Sequence, residues 1–138
     1  IEAVQQEIIE EFSIYEDWMD KYAYLIELGN DLEDLDPKDK NDQNSIKGCQ
    51  SRVWLVADMV NGKINFKGES DAVIVKGLVA LLLRVVTGRT PNELLENELH
   101  FIDDLGLKQH LSPTRSNGLL AMVKQIRLYA VAYNRIAG

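Results

Sequence analysis

Apolar residues follow a helical period near both ends of the chain. In the first segment they recur at three- and four-residue steps: Val4, Ile8, Phe12, Tyr15, Met19, Tyr22 and Ile26. This spacing places them on one face of an amphipathic helix, which Gly29 is positioned to end. Ser13 and Glu16 have capping-box spacing, so the pattern allows two helices with a break near Ser13. Residues 115–136 repeat the helical period and predict a long C-terminal helix.

The centre of the chain changes to a strand pattern. Residues 53–60 are rich in β-branched and aromatic side chains, and Asn61-Gly62 follows directly. Because Asn-Gly favours the two-residue turn in which both residues have positive φ, residues 63–66 are predicted to return as the hairpin partner. Residues 45–47 are predicted to add a third short strand.

Helices are predicted again after the hairpin. Ser70 is expected to cap a helix over residues 71–86, and residues 90–93, Thr-Pro-Asn-Glu, have the sequence of a capping box that starts another. The expected fold class is α+β, with a small three-stranded antiparallel sheet packed with helices. We expect residues 1–138 to form a single domain.

Composition and charge exclude several function classes. The 138 residues are 46% hydrophobic and 27% charged, which is typical of a globular protein. The net charge is −7, and no cluster of Lys and Arg is apparent, so nucleic acid and anionic membranes are poor candidate partners. No signal peptide and no apolar run of about 20 residues is recognised, so the expected location is cytoplasmic, or plastid if a targeting segment was removed.

A polar, acidic stretch separates the first helical segment from the strands. Its acidic residues are Asp31, Glu33, Asp34, Asp36, Asp39 and Asp42. We interpret it as a solvated loop, with docking of a basic partner as the alternative.

Cys49 is the only cysteine, and it lies in a polar corner between two predicted strands. An isolated cysteine is commonly a small buried apolar residue. Gly48 allows the backbone to turn before the thiol, and Lys47 and Arg52 favour the thiolate because nearby cations stabilise it. One thiol and two distant histidines cannot supply a four-ligand zinc site or iron–sulfur cluster. The residues alone leave a structural and a reactive Cys49 both open.

Three separated motifs resemble those of one protein family. They are Gly-Cys-Gln-Ser at 48–51 followed by Val-Trp-Leu at 53–55, Gly-Glu-Ser-Asp-Ala-Val-Ile-Val-Lys-Gly-Leu at 68–78, and Leu-Ser-Pro-Thr-Arg-Ser-Asn-Gly-Leu at 111–119. Their order and composition are similar to those of the SufE family of sulfur acceptors, which includes the CsdE proteins. The resemblance extends from about residue 8 to residue 133.

The resemblance implies a fold like that of SufE and IscU proteins and a function in sulfur transfer for iron–sulfur cluster assembly. A cysteine desulfurase of the SufS or CsdA type, which carries pyridoxal phosphate, makes a persulfide on its own cysteine. The SufE-like protein accepts the terminal sulfur, stimulates the desulfurase and delivers sulfur to a scaffold of the SufBCD type. Carried over by motif, Cys49 is the acceptor and forms the persulfide, and the chain itself is expected to hold no cofactor or metal.

Five neighbours are expected to support the cysteine by shaping its loop or seating the desulfurase: Gly48, Gln50, Ser51, Asp71 and Arg115. The alternative function is a non-catalytic activator that binds the desulfurase and uses Cys49 only as a structural residue.

Overall fold

The structure is a computed structural model, and it describes residues 1–47 and 51–137. Its strands are β1 (Val53–Val60) and β2 (Lys63–Ser70). Its helices are α1 (Glu2–Ser13), α2 (Trp18–Asn30), α3 (Val73–Val86), α4 (Pro91–Glu96), α5 (Phe101–Asp104), α6 (Leu107–His110) and α7 (Pro113–Ala137), with a 3₁₀ turn at Pro37–Asp39.

The N-terminal apolar period forms two helices, which confirms the predicted break near Ser13. The Ser13 hydroxyl donates to the Glu10 carbonyl at 2.7 Å, within the last turn of α1. It does not cap α2, because Asp17 takes that position and its carboxylate accepts the Asp20 N–H at 2.9 Å. The break was predictable from the capping signal, but the capping residue lies four positions later.

The hairpin forms with the predicted turn and is longer than expected. Asn61 and Gly62 have φ values of 53° and 78°, as the two-residue turn requires. Pairing runs from Val60 with Lys63 to Val53 with Ser70. The prediction that Ser70 caps the next helix is therefore wrong: Ser70 is the last residue of β2, and the N-cap position of α3 belongs to Ala72.

The predicted three-stranded sheet is not found, since within the described residues the sheet has two strands. Ser45 makes one isolated antiparallel bridge to Trp54, on the outer edge of β1. Pairing does not continue because the chain turns on both sides of the bridge. The Asn41 side chain accepts the Asn44 N–H at 3.0 Å in the turn before it, and Lys47, two residues after Ser45, is itself in a turn.

Helix α3 is the centre of the hydrophobic core. Its buried residues are Val75, Gly77, Leu78, Val79, Leu81, Leu82, Leu83, Val85 and Val86. Helix α2 and strand β2 pack against it, with α1 and α7 also in contact. A Cβ atom on Gly77 would lie 2.2 Å from the Leu25 carbonyl oxygen, and one on Gly29 would lie 2.8 Å from the Gly77 nitrogen. Helices α2 and α3 therefore touch through their backbones, which only glycine permits.

Side chains of α1 fasten it to α5. The buried Gln5 accepts the Phe101 N–H at 3.0 Å. His100 lies between two carboxylates, with Nδ1 2.5 Å from Asp104 and Nε2 2.7 Å from Glu2. The hydrogen bond to Asp104, and then that to Glu2, raises the pKa of His100 above its ordinary value near 6.5.

None of the helices in the described part of the chain is long and apolar enough to span a membrane.

We predict that Gly77→Ala destabilises the protein by about 1–3 kcal/mol, although alanine is the better helix former, because its Cβ forces α2 and α3 apart. Denaturant unfolding measures the loss. Val73→Ala is the matched control, since Val73 lies on the same helix and is 59% exposed, and its stability is expected to stay near that of wild type. A Gly77→Ala variant as stable as this control would contradict the backbone contact.

A second prediction follows from the raised pKa of His100. The folded state favours protonated His100, so its contribution to stability is complete below the unfolded pKa near 6.5 and is lost as pH rises through the higher folded-state pKa. His100→Gln should therefore lower the melting temperature at about pH 6 and change it much less at about pH 9. An equal decrease in melting temperature at both pH values would show that the charge of His100 does not contribute to the stability of the folded state.

Candidate functional site

The segment that contains the cysteine is closed at its base by a direct hydrogen bond. The Ile46 N–H donates to the Val53 carbonyl at 2.8 Å, and both side chains are buried. Residues 48–50, which include Cys49 and the predicted neighbours Gly48 and Gln50, lie outside the described residues. The structure thus describes the two flanks to which this segment is attached.

The downstream flank is held by the end of β2. The Asp71 carboxylate accepts the Arg52 N–H at 3.0 Å, and the Asp71 N–H donates to the Arg52 carbonyl at 3.2 Å. The Ser70 hydroxyl donates to the same carbonyl at 2.8 Å and accepts the Ala72 N–H at 3.2 Å. Both backbone polar groups of Arg52, three residues after Cys49, are therefore bonded to Ser70 and Asp71.

We call the residues that fasten the two flanks the loop frame: Ile46, Arg52, Val53, Ser70 and Asp71. The loop frame joins the first motif to the second, because Arg52 follows Gly-Cys-Gln-Ser and Ser70-Asp71 belong to the 68–78 stretch. The structure thus places the predicted Asp71 against Arg52, on the downstream flank of the cysteine segment. It also adds Ser70, which sequence reasoning had taken for a helix cap.

A buried carboxylate anchors the acidic stretch beside the loop frame. Glu69 forms an ion pair with Lys40, and its other oxygen accepts the Leu35 N–H at 3.3 Å. The Lys40 ammonium also lies 5.7 Å from the centre of the Trp54 ring. The stretch is therefore fastened across the outer face of the hairpin, and its interpretation as a simple solvated loop was incomplete. The Lys40–Glu69 contact joins positions far apart in sequence, and no local signal marked it.

Two cations flank the cysteine segment. Lys47 and Arg52 are both exposed, and neither forms an ion pair with a residue of the described ranges. Their charges remain available to an anion near the segment. Ser51, another predicted neighbour, is half-buried in a bend directly before Arg52.

Arg115 is the predicted site residue for which the described residues show no side-chain bond to the loop frame. It is exposed in the first turn of α7, where its backbone N–H donates to the Ser112 hydroxyl at 3.3 Å. Among the described residues, its guanidinium forms no ion pair with Asp71. Directly before the third motif, the His110 ring stacks on Trp18 of α2 with ring centres 4.0 Å apart.

No group of three or more His, Cys, Asp or Glu side chains within residues 1–47 and 51–137 is arranged to hold a metal ion.

Two comparisons with known proteins bear on this site and its fold. The family model described as "SufE: Fe-S metabolism associated domain" matches residues 6–130. The chain is also similar to the solution structure of a hypothetical protein from Thermus thermophilus, with a TM-score of 0.75 and 21% sequence identity, over 94% of each chain. At this identity the structural likeness concerns the fold alone.

We predict that Asp71→Ala loosens the downstream flank, because the Arg52 N–H loses its carboxylate acceptor. Loss of a bond of about 1 kcal/mol corresponds to roughly fivefold faster amide exchange at Arg52, measured by hydrogen–deuterium exchange under native conditions. Asp71→Asn keeps an oxygen acceptor and is expected to stay much closer to wild type. Equal exchange rates in the alanine variant and wild type would remove Asp71 from the loop frame.

Proposed function

Since the chain belongs to the SufE family, which is associated with iron–sulfur metabolism, we propose that it accepts persulfide sulfur on Cys49 from a cysteine desulfurase and delivers it for iron–sulfur cluster assembly. The loop frame is the observation that carries the proposal. It fastens both flanks of the segment holding the only thiol of the chain, and those flanks carry two cations that form no ion pair within the described residues. A structural cysteine in a core strand would require neither feature.

The proposed transfer is a thiolate attack on a sulfur–sulfur bond. The Cys49 thiolate attacks the outer sulfur of the desulfurase persulfide, and a new sulfur–sulfur bond forms on Cys49. The donor sulfur–sulfur bond breaks, and the desulfurase thiolate leaves with its electron pair. The proton of the outer sulfur travels with that sulfur, so the step needs no external oxidant or reductant.

Positioning of the thiol contributes more to the rate of the proposed transfer than lowering of its pKa does. At pH 7 a cysteine with the ordinary pKa of about 8.5 is only ~3% thiolate. Lowering that pKa to ~7 would raise the thiolate fraction about 16-fold, but the weaker nucleophile loses roughly fivefold, so the net gain is near threefold. The larger factor must come from holding the thiol in line with the donor persulfide.

We assign roles to the supporting residues on this basis. Asp71 acts through the Arg52 backbone as a positioning residue, while the exposed Arg115 contacts the partner. Gly48, Gln50 and Ser51 shape the approach to Cys49. The pyridoxal phosphate belongs to the desulfurase, which is of the SufS or CsdA type, and a scaffold of the SufBCD type receives the sulfur.

The test is intact-mass analysis after the protein is mixed with an active cysteine desulfurase and free cysteine. We expect a gain of one sulfur atom that maps to Cys49 and is removed by a reductant. Cys49→Ser is the control and should show no gain. An unmodified Cys49 with a desulfurase that nevertheless turns over faster would establish the non-catalytic activator instead.

A further inference from the structure

A small cavity lies between the acidic stretch and strand β2. Its volume is about 240 Å³, and its apolar lining consists of Leu32, Leu35, Phe66 and Leu83. We call it the β2 cavity. Pockets that hold cofactors or drug-sized molecules measure about 300–1,000 Å³. The β2 cavity is smaller, so its size suits a single side chain and not a larger ligand.

The polar part of the lining is mostly negative. It contains four carboxylates and one ammonium group, those of Glu33, Asp34, Asp36, Asp39 and Lys67. Asp34 pairs with Lys76 at 3.7 Å, whereas Glu33 and Asp39 form no ion pair within residues 1–47 and 51–137. Carboxylates at a protein surface are normally solvated by water, so this cluster by itself does not identify a ligand.

The backbone of β2 provides an independent observation. Along an antiparallel strand the N–H and C=O groups point to opposite edges at alternate residues, so residues two apart face the same edge. On the edge away from β1, the Ile64 N–H donates to the Arg89 carbonyl at 2.8 Å. The Phe66 N–H donates to the Thr87 hydroxyl at 2.9 Å on the same edge. Gly68 is next on this edge and lines the cavity, but among the described residues neither its N–H nor its carbonyl has a partner there.

The unpartnered carbonyl indicates what kind of group the β2 cavity receives. Gly68 is buried, and more than about nine in ten buried backbone groups in proteins have a hydrogen-bond partner. The lining thus combines this acceptor with four carboxylates and an apolar wall. A cationic group on an aliphatic stem matches all three, because it supplies donors and positive charge while its stem covers apolar surface. Arginine fits best, since its guanidinium has five N–H donors.

We propose that the β2 cavity binds one arginine side chain of the cysteine desulfurase. This inference rests on the proposed function, because it names a contact of the enzyme that brings sulfur to Cys49. The cavity is formed in the unmodified chain, which is the form that the sulfur donor must bind; the sulfur recipient must bind the persulfide form. An arginine that fills a desolvated pocket is a common centre of binding energy in protein interfaces.

The β2 cavity lies close enough to the loop frame for one partner to contact both. Gly68 is three residues before Asp71, so at no more than about 3.6 Å per residue their Cα atoms are at most about 11 Å apart. The Asp71 carboxylate in turn accepts the Arg52 N–H at 3.0 Å. A protein interface of ordinary size buries about 800 Å² on each partner, which corresponds to a patch roughly 30 Å across. A patch of that size centred on the loop frame extends to Gly68.

A small arginine analogue tests the cavity itself. Acetyl-arginine amide, titrated into the ¹⁵N-labelled protein, should shift the amide resonances of Gly68 and Glu69 with saturation, because the guanidinium bonds to the carbonyl between them. Acetyl-citrulline amide is the matched control, since it has the same stem without the charge, and should leave both resonances in place. If the arginine analogue shifts neither resonance up to ~50 mM, or if both analogues shift them equally, the cavity is not a cation site.

Removal of charge from the lining tests the partner. Glu33→Gln/Asp39→Asn, the cavity variant, should weaken binding to the purified desulfurase by about tenfold, measured by isothermal titration calorimetry at low salt. Raising the salt concentration should lower the affinity of wild type more than that of the cavity variant.

Glu10→Gln/Asp58→Asn is the matched control, because it changes the net charge equally at two exposed carboxylates outside the cavity. Its affinity for the desulfurase should stay within about twofold of wild type. Equal weakening by both double variants would overturn the proposal. If the arginine analogue binds but the cavity variant keeps the wild-type affinity for the desulfurase, the site serves a free cation and the proposed partner is wrong.

The proposed function and this inference fail in different ways. If the cavity variant binds the desulfurase more weakly but Cys49 of wild type gains no sulfur, the arginine site stands and the carrier function falls. If Cys49 gains sulfur at the same rate in wild type and in the cavity variant, with equal affinities, the carrier stands and the arginine site falls.

Discussion

The backbone contact between α2 and α3 is the constraint on which the other contacts depend. Gly77 brings α3 against the Leu25 carbonyl on one side, and Gly68 brings β2 close to it on the other, since a Cβ atom on Gly68 would lie 2.9 Å from the Val79 side chain. Helix α3 is thereby held between α2 and the hairpin with almost no space to shift. Because only two residues separate β2 from α3, the position of the helix fixes Ser70 and Asp71, and they in turn fix Arg52. A contact in the core thus determines the position of the Arg52 backbone at the surface.

Much of the fold could be predicted from local patterns, and the exceptions have physical causes. Asn61-Gly62 determined the hairpin because few other sequences allow two consecutive residues with positive φ. Ser70 was mispredicted because a serine before an apolar run looks the same whether it caps a helix or ends a strand. The 45–47 segment has strand-like composition, but the turns on each side of it limit pairing to one bridge at Ser45.

In the candidate site, too, local features could be predicted from the sequence and long-range contacts could not. The cysteine motif is a local sequence and could be recognised as such, and Asp71 was singled out by its motif. The bonds from Ser70 and Asp71 to Arg52 join residues 18 and 19 positions apart, and they exist only because the hairpin register places Val53 opposite Ser70. The anchoring of the acidic stretch by Glu69 likewise depends on a contact between 40 and 69.

The loop frame also limits how far the Cys49 thiol can lie from the described part of the chain. Cys49 is three residues from Ile46 and four from Val53. At no more than about 3.6 Å per residue, its Cα cannot lie farther than roughly 11 Å from that of Ile46. A thiol on so short a segment cannot move between widely separated binding sites. If the chain carries sulfur as proposed, the donor and acceptor proteins must therefore occupy the same small volume in turn, and one must leave before the other can bind. The rate of sulfur transfer would then depend on how long each partner protein stays bound, and not on how far the thiol moves.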